Sequence, residues 1–166
     1  MSVKKELYLL IKSAVTAIPS VETFGKFNNQ FETEEDECPF NNPSVFIEMS
    51  EIPWLPQSQN AFNSGQTQEQ ESEEFQFTLH IGYWSQEDEE DKFLALLDLV
   101  DEVYRAITSI ESVNINPIKR VSEVDDTDHT EPMVWQTTFS TMLTECGVAT
   151  NETAQTIDVV VNSSNV

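Results

Sequence analysis

The chain has 166 residues and carries 30 Asp plus Glu against 8 Lys plus Arg, for a formal net charge of −22. That excess of carboxylates argues against broad binding to a nucleic-acid backbone or an anionic membrane and favours either basic partners, use of repulsion, or solubility alone. Hydrophobic residues make up 39% of the chain, enough for one domain with a sheet and two helices, and 4 glycines are too few for tight backbone cradles around phosphate.

In chain order, Leu7, Leu10, Ile11, Ala14 and Ile18 fall on one face of a helix expected over about residues 3–17. Pro19 ends it, because proline disfavours helical geometry in the residue before it. Lys4 and Lys5 before an apolar run imitate a signal peptide, but Glu6 and Lys12 bracket that run too closely. Val21 to Phe27 reads as a short strand with a glycine inside it. Residues 28–42 then form a polar loop with Glu32, Glu34, Glu35, Asp36 and Glu37, which is expected to be solvated rather than metal-binding. Val45 to Ile52 is a second strand, with Val45, Ile47 and Met49 inward and Pro53 ending its ladder. Residues 55–72 show no period and read as the extended tip of an antiparallel hairpin.

The strongest signals come next. Phe75, Phe77, Leu79, Ile81 and Tyr83 alternate with Gln76, Thr78, His80, Gly82 and Trp84, which specifies a strand. The period then changes: Phe93, Leu96, Leu97, Val100, Val103, Tyr104 and Ile107 make a helical stripe over 87–107. Ser85 is placed as its N-cap, and Glu87 to Asp91 crowd the first turn, where the helix dipole favours negative charge. Pro117 to Val121 starts another strand, which is expected to run into an acidic bend over 123–131. That bend lacks the glycine and the terminal glutamate of a calcium loop. Trp135, Thr137, Phe139, Thr141 and Leu143 alternate as the last strand. Beyond Gly147 the composition shifts to Thr, Asn and Ser around Ile157 to Val161, a chain end expected to be either disordered or an arm that adds a strand to another sheet edge, with the β-branched island favouring the arm.

The fold class that follows is α+β. A mainly antiparallel sheet of about five strands carries two helices on one face, with an extended loop and a C-terminal arm. Residues 1–146 form the single domain and 147–166 the flexible arm. No apolar run is long enough to span a bilayer. Cys38 and Cys146 match no zinc spacing and read as unpaired thiols in a reducing compartment. His80 is expected to be structural or helix-covered, and His129 to lie in an exposed ion pair kept protonated by its carboxylate neighbours. No nucleophile motif occurs, so neither catalytic residues nor a cofactor is expected.

The arrangement of these elements resembles the tail terminator and tail-completion family of tailed bacteriophages, with related ring-forming head–tail connector proteins. The likeness is carried by Asn42-Pro43-Ser44-Val45-Phe46-Ile47-Glu48, by Phe75-Gln76-Phe77-Thr78-Leu79-His80-Ile81, by the Glu-rich start of the helix at 87–107 and by Asp125-Asp126-Thr127-Asp128. It spans roughly residues 1–146 and is one of layout, not of a signature motif. The resemblance implies a virion protein, made in the host cytoplasm, whose copies close into a ring, usually of six, with a dodecamer as the alternative. Its partners would be portal, connector or tail proteins, with genomic DNA passing through and not held. Asp125, Asp126, Asp128, Glu87 and Asp88 are the expected DNA-repelling lumen residues, since a wall of carboxylates leaves a duplex mobile. Gln57, Asn60, Phe62, Ile157, Val159 and Val161 are the expected contacts between subunits. The competing class is an acidic DNA mimic that occupies the basic groove of a DNA-binding protein. A lone adaptor or chaperone for a basic client is a third.

Overall fold

The computed structural model describes residues 2–32, 40–55, 68–85, 88–126 and 132–147. Its elements are α1 (Val3–Thr16), β1 (Thr23–Lys26), β2 (Ser44–Met49), β3 (Gln68–Glu71), β4 (Phe75–Tyr83), α2 (Glu89–Thr108), β5 (Lys119–Asp126), β6 (Met133–Thr141) and β7 (Thr144–Gly147). Five strands form one sheet in the order β1-β2-β4-β6-β5, with β1 parallel to β2 and every other pairing antiparallel. This is the α+β architecture that the hydrophobic periodicity specifies.

β4 lies at the centre because both of its neighbours run along its length, with Phe77 opposite Met49 on one side and Phe139 on the other. The alternation of β4 is fully used. Phe75, Phe77, Leu79 and Ile81 are buried beneath the helices, and Phe77 stacks on Phe139 at a centroid distance of 5.4 Å. α1 contributes Val3, Leu7, Ile11 and Val15 to this core, joined by Ile18 just past its end. α2 contributes Leu96, Leu99, Val100, Val103 and Ile107. Leu99 was not in the expected stripe, and Phe93, which was, lies partly exposed against Trp135. Both helices therefore cover the same face.

The other face is closed at one end only. There Phe27, Phe31 and Phe40, from either end of the connection between β1 and β2, join Phe46 and Val134 in a second, smaller apolar cluster. Gly82 makes this possible. A Cβ there would come within 2.5 Å of the Phe31 ring, so only glycine lets that ring approach the strand this closely. The rest of the face is polar, with Thr78 and Thr138 sharing a hydrogen bond of 3.1 Å across β4 and β6.

Three local expectations need correction. The N-cap of α2 is Asp88, not Ser85; its carboxylate accepts the Asp91 amide at 3.0 Å. Glu123 to Asp126 do not bend but continue β5 to its end. Within the segment 55–72, Gln68–Glu71 is a strand that pairs with β7 in a second sheet of two strands. Ser72 fixes the root of that ribbon, donating its amide to the Leu143 carbonyl and accepting the Leu143 amide on its hydroxyl, each at 2.8 Å.

Candidate functional site

Among the described residues β5 pairs with β6 along one edge and forms the outer edge of the sheet, so its other backbone edge presents donors and acceptors that no described strand pairs. All but the last of its residues are exposed, in contrast to the central strands. Opposite β6, the register shifts between Arg120 and Ser122, which leaves Val121 as the residue of a bulge. The bulge decides which side chains share a face. Arg120, Glu123 and Asp125 lie opposite Phe139, Thr137 and Trp135, on the helix side. Lys119, Ser122, Val124 and Asp126 lie opposite Ser140, Thr138, Gln136 and Val134, on the other side.

Arg120 is the anchor of the strand. Its guanidinium sits 4.1 Å above the Tyr104 ring of α2 and donates to Glu123 at 2.8 Å. Asp125 is exposed next to Trp135, whose ring in turn meets Phe93, one turn after Glu89 in α2, at 6.2 Å. The structure thus brings Asp125 to the same corner as Asp88, Glu89, Glu90 and Asp91, all of them exposed. Asp126 turns to the opposite face, where it accepts a hydrogen bond from Gln136 Nε2 at 2.8 Å. Of the expected lumen residues, then, Asp88 and Asp125 share one corner and Asp126 does not. Glu87 and Asp128 lie outside the described residues, as do Gln57, Asn60, Phe62, Ile157, Val159, Val161, Cys38 and His129.

His80 lies on the sheet face away from α1 and α2. It is buried on the helix-free face, stacked parallel on Phe27 at 3.6 Å, with Nε2 at 2.9 Å from Glu48 Oε2. Among the described residues, His80 Nδ1, Trp135 Nε1 and Thr137 Oγ1 are buried and have no hydrogen-bond partner. Such groups usually lower stability by about 1–3 kcal/mol each. At the far end of the helix layer, Glu6 of α1 accepts from Ser112 Oγ at 2.6 Å and Asn114 Nδ2 at 3.0 Å. The Ser112 bond first, then the Asn114 bond, holds the Glu6 carboxyl below its ordinary range.

Among the described residues no group of His, Cys, Asp and Glu is arranged to hold a metal ion. No described helix is long and apolar enough to cross a membrane. Compared with known proteins, the chain matches no family model and no curated sequence at a significant level. Sequence reasoning located the acidic residues of β5 but missed that they sit on an open sheet edge. The signal available for it was the alternation of Val121 and Val124 with charged and polar residues in place of a buried apolar series.

Proposed function

We propose that this chain is a non-catalytic structural subunit that closes into a ring at the head–tail or tail-tube junction of a tailed bacteriophage. The observation that carries this reading is the acidic corner made by Asp125 and the first turn of α2 on a small α+β domain. Carboxylates there would line a channel that repels the duplex from its wall and lets it slide. The segment over 55–72 and the arm over 147–166 would reach neighbouring copies or the next ring, through Gln57, Asn60, Phe62 and the apolar island at Ile157, Val159 and Val161. Closed homo-oligomers built from head-to-tail contacts are rings when the rotation closes, and six copies is the expected number. Native mass spectrometry of the purified chain over a range of concentrations tests this. Hexamers or dodecamers support the ring, and a monomer at every concentration overturns it. In assembled particles, changing Asp125 together with Glu89 and Glu90 to Lys should slow or block DNA ejection, and unchanged ejection removes the lumen role.

A second reading, a DNA mimic, is favoured by one feature. Asp88, Glu89, Glu90, Asp91, Asp98, Asp101 and Glu102 are all exposed along α2, a rail of carboxylates on a helix of 20 residues. From Asp88 to Glu102, at about 1.5 Å per residue, that rail runs roughly 21 Å, the length of about six phosphates along one strand of a duplex. Competition with duplex DNA for a basic DNA-binding protein, in the absence of any ring, would favour the mimic.

A further inference from the structure

The outer strand of the sheet reads Lys119-Arg120-Val121-Ser122-Glu123-Val124-Asp125-Asp126, basic at its start and acidic at its end. In a chain with 8 Lys plus Arg among 166 residues, two of them adjoin on this one exposed edge. Once the bulged Val121 is set aside, the remaining side chains alternate between the two faces of the sheet symmetrically about Glu123. Lys119 and Asp126 then share the helix-free face, and Arg120 and Asp125 share the helix face. Without the bulge each of these pairs would point to opposite faces, so the bulge is what makes the charge pattern self-matching.

We propose that this edge pairs antiparallel with the same edge of a second copy about a two-fold axis through Glu123. The pairing sets Lys119 opposite the partner's Asp126, Arg120 opposite the partner's Asp125, and Ser122 opposite the partner's Val124, each twice. Opposite charges directly across an antiparallel pair attract, and the open backbone edges of both copies are satisfied by each other. Val121 and Val124, 50% and 55% exposed, lose solvent contact on the same event. Glu123 meets its own copy at the axis, an unfavourable contact moderated by the Arg120 guanidinium already bonded to it.

This contact is isologous, unlike the head-to-tail contact that builds a ring, and it stands without the ring reading. If rings form as well, the two-fold joins them in pairs and doubles the copy number. It also ion-pairs Asp125 and Asp126, leaving the acidic wall of any channel to the first turn of α2.

The test is a charge swap. Asp125→Lys/Asp126→Lys makes the edge basic throughout its ends, and Lys119→Asp/Arg120→Asp makes it acidic. Each variant alone should raise the dissociation constant of the two-fold species on the order of a hundredfold in sedimentation or native mass measurements. An equimolar mixture of the two variants should restore it as a heterodimer. Wild-type protein without an even-numbered species, variants that keep it, or a mixture that fails to regain it would each overturn the pairing. Should a doubly substituted chain fail to fold by circular dichroism, Glu123→Cys provides a separate readout. The axis brings that position next to its own copy, so mild oxidation should give a covalent dimer in high yield. Val113→Cys, on the 96% exposed connector residue, serves as the control for random collision. Equal yields from the two cysteines would overturn the pairing whatever the state of any ring.

Discussion

The two faces of the five-stranded sheet are closed in different ways. On one face, helices from well-separated parts of the chain share a single aliphatic and aromatic core with β2, β4 and β6. On the other, four phenylalanines and Val134 cover one end, and hydroxyl, amide and carboxylate groups occupy the rest. The first face binds the chain into one fold. The second is secured by a few aromatic rings, and it leaves polar strand surface in reach of solvent or a partner. Stability and surface recognition are thus assigned to opposite sides of the same strands.

The largest effect that would test this division is on the helix side. Phe77→Ala or Phe139→Ala removes one of two stacked, fully buried rings, and should destabilise by about 3–5 kcal/mol in chemical denaturation. A loss no greater than that of Phe46→Ala on the other face would break the comparison. Gly82→Ala should cost about 1–3 kcal/mol, because the added methyl displaces the Phe31 ring. The change should stay local, with near-ultraviolet dichroism altered and the helix content unchanged. Asp88→Ala removes the cap of α2 and should cost about 1 kcal/mol, whereas Ser85→Ala should cost less. Thermal unfolding of the two variants side by side checks this.

The smallest effect concerns Glu6. Its folded pKa is depressed, so its contribution is complete above the ordinary carboxylate range and is lost as pH falls through the folded value. Ser112→Ala/Asn114→Ala should therefore be less stable than wild type at neutral pH, with the gap closing below about pH 4. Unfolding midpoints measured across that range decide it, and a gap independent of pH would assign the loss to packing.

The parts of this fold legible in the sequence are those where burial imposes a period. β4 and α2 are the clearest, since Phe75 to Tyr83 and Leu96 to Ile107 each commit one face to the core. Phe46 was not legible as a core residue, because the aromatic cluster that buries it is assembled from Phe27, Phe31 and Phe40 in a loop without period. The strand Gln68–Glu71 left no trace, since it holds no apolar residue and is held by backbone pairing to β7. The N-cap of α2 was misplaced by three residues because Ser and Asp are near-equal caps, and an acidic run offers several. The acidic end of β5 read as a bend because strands are normally poor in Asp and Glu, a preference that weakens at an exposed edge.

The ribbon of β3 and β7 has a practical consequence for labelling. Gln68 is paired with Gly147, so the chain leaving residue 147 starts one strand spacing, about 4.8 Å, from the chain entering residue 68. Two stretches far apart in the gene are therefore anchored side by side. A fluorophore or affinity tag placed just after Gly147 would report on whatever docks around residue 67, and a bulky fusion there would obstruct both at once.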